Sequence, residues 1–139
     1  MIAAAEPPQD IPEEPVPAAA ELSLEQSLRS SIDRWISSWQ DKRLDEYFAA
    51  YAPDFDPRYQ DGLSQWRANR ERVIGNAEWI RLRLTDFVIV AEQDSRVEVN
   101  FWLAYESPTY GDNTLKKLVL TPAGDDWLIL EEVNLQVTR

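Results

Sequence analysis

The hydrophobic period of this chain changes once. Up to Asn76 the apolar residues recur at helical spacing, and from Glu78 to the C-terminus they alternate. A chain that places its helices first and its strands after has no βαβ crossover, so it must lay the helices against one face of an antiparallel sheet. The fold class is therefore α+β.

The helical half divides into three. Ser23 with Gln26 has capping-box spacing, and Leu28, Ile32, Trp35, Ile36 and Trp39 then share one face to about Lys42. Leu44 to Tyr51 forms a second, shorter helix with Leu44, Tyr47, Phe48 and Tyr51 on one side. Pro53 stops it, because an interior proline lacks an N–H and clashes with the preceding turn. After a polar Asp54 to Gly62 loop, Ser64 caps a third helix carrying Trp66, Arg70 and Val73 to about Ile74, with Gly75-Asn76 as its stop.

In the strand half, Ile80, Leu82 and Leu84 have one parity, whereas Phe87 and Ile89 have the other. A one-residue bulge near Thr85-Asp86 reconciles them and bends the strand. Val97, Val99, Phe101, Leu103 and Tyr105 form a long half-buried strand after a Gln93 to Ser95 turn. Leu115 to Thr121 and Trp127 to Val137 make a hairpin across Pro122 to Asp126.

Composition removes several classes of chemistry. There is no Cys and no His, which excludes thiolate catalysis, disulfides and Cys or His metal ligands; no cofactor and no metal are expected. The net charge of −11 repels phosphate backbones, so nucleic acid is not an expected partner. No apolar run is long enough to insert directly in a membrane. Residues 1 to 22 hold five of the nine prolines among Ala and Glu and read as a disordered acidic Pro-rich linker, with the domain occupying residues 23–139. Met1 to Ala5 has neither the basic nor the apolar region of a signal peptide, so if the protein is exported its signal is expected to lie upstream or to be missing.

The run SSWQDKRLDEYFAAYAPDF (Ser37 to Phe55) carries a family resemblance. So do the Trp66, Arg70 and Arg72 helix, the Trp79-Ile80-Arg81-Leu82 strand start, and the closing KKLVL and WLILEE strands. Together they resemble the NTF2-like (SnoaL-like) superfamily, and within it the C-terminal domain of Cds6-type bacterial L,D-transpeptidase family proteins. The resemblance implies a cone of three N-terminal helices packed on a curved, mainly antiparallel sheet, with any ligand in the conical pocket. It also implies a non-catalytic accessory module for dimerisation or for binding a ligand or partner. Such a module would form a homodimer and attach to an upstream domain or envelope protein in the bacterial periplasm or cell envelope, or otherwise lie in the cytoplasm. The alternative is a small isomerase, cyclase or hydrolase using a carboxylate base in the pocket. Either way the ligand would be small and apolar or anionic.

The pocket candidates are Tyr51, Asp54, Trp66, Arg70, Tyr105 and Glu131. Asp54, freed by Pro53, is expected to meet Arg70 as an ion pair that anchors the YAPDF loop to the third helix. Glu131 shares parity with Trp127, Ile129 and Val133, so an unbroken strand aims it inward with its pKa raised by desolvation. A bulge would instead turn Glu131 outward and redirect Glu132, and both readings stand at this point. Trp102 faces opposite to Phe101 and is the interface candidate. Arg67, Arg70, Arg72, Arg81 and Arg83 form a basic patch, and Arg81 and Arg83 are expected to face Glu98.

Overall fold

The computed structural model describes residues 15–58 and 62–139, with side chains from residue 23 onward. Its order is α1 (Pro15–Gln40), α2 (Leu44–Ala49), α3 (Gly62–Asn76), β1 (Arg81–Gln93), β2 (Arg96–Glu106), β3 (Gly111–Ala123) and β4 (Asp126–Thr138). The strands form one antiparallel sheet in the order β1-β2-β3-β4. The expected class and architecture are both present.

α1 starts eight residues before the anticipated cap, so Ser23 lies inside it. Pro15 and Pro17 sit in the first turn, where the missing N–H groups have no intrahelical partner to lose, and Ala18-Ala19-Ala20-Glu21 are strong helix formers. The linker expectation for residues 1–14 lies outside the described residues. α1 ends in a Schellman motif: the Arg43 N–H donates to the Ser38 carbonyl, the Lys42 N–H to the Trp39 carbonyl, and Lys42 adopts φ 61. A left-handed lysine carries a steric cost, and its ammonium is tied to the Ala77 carbonyl at the end of α3.

α2 stops at Ala49, two residues short of expectation and well before Pro53. The chain is drawn onto the edge of β4 instead. Ile129 donates to the Ala50 carbonyl and the Ala52 N–H donates to the Ile129 carbonyl, giving Tyr51 a parallel bridge to Ile129. The same bonds cover the edge of β4, which would otherwise present unpaired backbone groups.

The core fills the concavity. Leu28, Ile32 and Trp35 of α1 are essentially sealed from solvent against Val97, Val99, Phe101 and Leu103 of β2, Leu118 and Leu120 of β3, and Ile129 of β4. Each such side chain contributes about 1.5–3 kcal/mol by leaving water. Polar bonds fix α1 at its middle and at its C-terminal end. Ser27 and Ser31 accept from the Trp127 indole and backbone N–H at 2.9 and 3.0 Å, while Gln40 accepts from the Leu82 N–H at 2.8 Å.

Bulges on β1 and β4 set which side chains face the cone. β1 has one between Thr85 and Val88, with Asp86 at φ 58, and a second between Ile89 and Ala91. On β4, Val119 pairs with Glu131 while Leu120 pairs with Ile129, so Leu130 is the extra residue. That insertion inverts the parity of the residues that follow, turning Glu131 outward and Glu132 into the cone, until a second shift at Leu135, between the Lys116–Asn134 and Leu115–Gln136 pairs, restores it.

Candidate functional site

At the centre of the cone is a hydrogen-bonded chain of five polar side chains. Arg70 of α3 donates through Nε to the Tyr47 hydroxyl at 3.0 Å, and the Tyr47 and Tyr51 hydroxyls lie 3.1 Å apart. Tyr51 donates to Glu132 Oε1 at 2.7 Å, and Lys116 of β3 closes on Glu132 Oε2, also at 2.7 Å. A carboxylate only accepts, so the single Tyr51 proton goes to Glu132 and the proton between the two phenols belongs to Tyr47. Trp35 Nε1 donates to the Tyr51 oxygen at 3.1 Å, completing that hydroxyl with one bond given and two received. Asn134 accepts a further Lys116 proton at 2.8 Å.

The sequence builds this arrangement locally. Tyr47 and Tyr51 lie four residues apart across α2 and its C-terminal turn, which places both hydroxyls on one side. Lys116 shares the inward parity of Leu118 and Leu120, and the Leu130 bulge puts Glu132 opposite Leu118 on the same face. Lys116 and Glu132 have side chains only 8% and 14% exposed, so this pair is buried rather than superficial.

Electrostatics follow from that burial. Burial pushes the Glu132 carboxyl up, but Lys116, the Tyr51 bond and Arg70 outweigh it and hold the pKa below the ordinary value. Burial is also the main reason that Tyr47 is pushed up to about 12, and it raises Tyr51 well above the usual phenol range with Glu132 adding to the effect. At neutral pH Glu132 is ionised with both oxygens engaged, and both phenols are neutral. None of these three groups is tuned to exchange a proton near neutrality.

Above this network lies a cavity of about 620 Å³, within the range of small-molecule sites. Its floor includes Trp39, Arg70, Leu103, Lys116 and Glu132. Phe55, Trp66 and Tyr105 form walls, and Glu78, Tyr110 and Asp112 stand among the residues towards the rim. Aromatic packing shapes the walls: Trp66 meets Tyr51 and Phe55 with ring centroids 4.8 Å apart in each case, and Tyr105 lies 5.9 Å from Trp39. The Arg70 guanidinium stacks over Trp39 at 5.2 Å, and the Lys116 ammonium lies 5.9 Å from the same ring.

The structure brings together three of the six pocket candidates: Trp66, Arg70 and Tyr105 line the cavity. Tyr51 lies just beneath it, acting through Glu132. Asp54 is exposed and does not join Arg70, which is held by Tyr47; the YAPDF loop is anchored to α3 by Trp66 instead, through Tyr51 and Phe55. The physical reason is that Pro53 and Asp54 form a turn at the surface while the aromatic residues on either side point inward. Glu131 does not line the cavity and pairs with Arg58 at 3.3 Å. Trp102 is half-buried on the outer sheet face, opposite Thr85 and Leu115. The basic patch is dispersed: Arg67 pairs with Glu71, and Arg81 meets Glu106 rather than Glu98, which lies opposite Ala91.

Sequence reasoning passed over Tyr47, Lys116, Glu132 and Asn134 as site residues. Lys116 had a visible signal in its parity with Leu118 and Leu120; Glu132 had only the bulge alternative, which redirected it without saying where it would point.

Helices capping a curled antiparallel sheet around an open cavity define an NTF2-like protein. The sequence over residues 27–133 matches the Cds6 C-terminal NTF2-like domain, and the chain belongs to that family. Among solved structures, Bd1075 of Bdellovibrio bacteriovorus is similar with a TM-score of 0.70 and 21% identity, over 78% of this chain and 39% of that one. The helical cell shape determining protein Pgp2 of Campylobacter jejuni is similar with a TM-score of 0.64 and 16% identity, over 74% of this chain and 38% of that one. The match thus spans about two-fifths of both longer proteins. A candidate scytalone dehydratase of Novosphingobium aromaticivorans has a TM-score of 0.63 and 10% identity, over 87% of this chain and 90% of that one. These likenesses show the fold, which hosts enzymes and inert modules alike. No curated protein matches the chain.

Proposed function

We propose that this chain is a non-catalytic NTF2-like accessory module that binds a small ligand in its cone and serves a larger bacterial cell-envelope protein. One observation carries the reading. The cavity stays open beside a buried carboxylate whose two oxygens are already bonded to Lys116 and Tyr51. The alternative, a small isomerase, cyclase or hydrolase, needs a carboxylate free to take a proton. Glu132 is instead held ionised with a lowered pKa, which makes it a weak base. Attachment to an envelope protein is supported by the two longer similar structures, one of them described as determining cell shape.

The test is a titration with naphthylacetamide, a neutral aromatic probe of suitable size, followed by nuclear magnetic resonance. Saturable binding with the probe recovered unchanged is expected. Val73→Trp, which adds bulk from a half-buried wall position on α3, should abolish it. Absence of binding by the parent protein, or undiminished binding by the folded variant, would refute the cavity reading.

A further inference from the structure

Among the described residues, Arg70 and Lys116 have more hydrogen-bond donors than partners. Arginine presents five N–H groups, yet among those residues Nε alone has a partner, Tyr47, and no carboxylate lies within ion-pair reach of the guanidinium. Lys116 directs two of its three protons to Glu132 and Asn134. Both cations flank the Trp39 ring and both line the cavity. With Glu132 as the one buried anion beside them, the floor carries an excess positive charge at the base of the open cavity.

The walls add a second requirement. Phe55, Trp66 and Tyr105 present aromatic surface, which favours a flat or apolar body over a sugar-like or highly hydrated one. Glu78 and Asp112 stand towards the rim as negative charges, which disfavours a ligand with several anionic groups along its length.

We propose that the cavity recognises an organic monocarboxylate, with the planar Arg70 fork and the Lys116 ammonium holding the anion at the floor and the aromatic walls enclosing an apolar body. A guanidinium fork matches the two oxygens of a carboxylate, and the bond gains strength where water is excluded. Arg70 is preorganised for this by its stack on Trp39 and its bond to Tyr47, so little side-chain freedom remains to be lost on binding. The proposal rests on the ligand-binding reading above and names the class of ligand for that site.

The experiment compares naphthylacetate with naphthylacetamide, equal in shape and different in charge, by calorimetry on the whole chain. The acid should bind about tenfold or more tightly than the amide, the scale of one charge-assisted two-pronged bond. Arg70→Gln should remove that preference by weakening the acid far more than the amide, and Arg70→Lys should keep part of it. In the parent protein the Arg70 Nε–H resonance should shift with the acid and not with the amide, a readout that needs no variant to fold. Equal affinities for the two probes, or a preference that survives Arg70→Gln, would overturn the monocarboxylate assignment while leaving the cavity reading intact. Failure of both probes to bind would overturn both.

Discussion

Replacing Lys116 by Met removes the main counter-charge of Glu132 while keeping a long apolar stem in the core. The partners lie 2.7 Å apart with side chains 8% and 14% exposed, so the exposed-pair scale of less than about 1 kcal/mol does not apply. Stranding one member of a buried pair costs about 3–5 kcal/mol in general. Here the figure falls to about 2–3 kcal/mol, because Tyr51 still donates to Glu132, Arg70 still faces it, and the floor opens to the cavity. For a chain of this length that corresponds to a fall in Tm of about 6–12 °C. The pH dependence is the sharper signature. In the parent, the lowered Glu132 pKa contributes stability that is present above the ordinary value of 4.5 and is lost as pH falls through the folded value. In Lys116→Met, burial prevails and the folded pKa rises, so its contribution is fully present below the unfolded value and is lost as pH rises. Both trends shrink the difference between the two proteins towards acid pH. Urea denaturation at neutral pH and at about pH 4 measures the gap, and adding Glu132→Gln should recover part of the loss. A cost under about 1 kcal/mol, or a gap that does not change with pH, would refute the assignment of Lys116 and Glu132 as a buried, mutually dependent pair.

Three further outcomes are expected. Tyr51→Phe leaves Trp35 Nε1 without an acceptor and Glu132 Oε1 without a donor, so it should cost about 2–3 kcal/mol in urea denaturation. Tyr47→Phe, whose Arg70 partner faces the cavity, should cost about 1 kcal/mol, and the reverse order would sink the proposed bond directions. Ultraviolet titration of tyrosinate should find Tyr47 ionising only at about 12 and Tyr51 well above the ordinary phenol range. The stability that these neutral phenols contribute is present below the ordinary value of 10.0 and is lost as pH rises through the folded values; two early-titrating buried phenols would contradict the network. If the outer sheet face joins two copies, sedimentation should show a dimer that Trp102→Glu converts to monomer, and a parent protein that is monomeric at high concentration removes that proposal.

The sequence by itself determined the class and the layer order. Helical periodicity ending before Glu78 and alternation after it leave few ways to bury Trp35, Ile32, Phe101 and Leu118 except helices on one concave sheet face. Even the bend of β1 was legible, because Ile80 to Leu84 and Phe87 to Ile89 have opposite parities and demand an extra residue near Asp86. What remained undecided were quantities that local pattern does not encode. Side-chain direction has a period of two, so one bulge at Leu130 exchanged Glu131 for Glu132 at the cavity; either carboxylate is compatible with the residues around it, and only the pairing of β4 with β3 chooses. Arg70 likewise had a plausible acid nearby in sequence, yet its partner is the Tyr47 hydroxyl across the cone. The turn at Pro53-Asp54 faces solvent while the Tyr51 strand bridge holds α2 against the floor. A buried polar network is fixed by the three-dimensional convergence of α1, α2, α3, β3 and β4. Each element specifies its own face, and tertiary packing alone decides which of those faces meet.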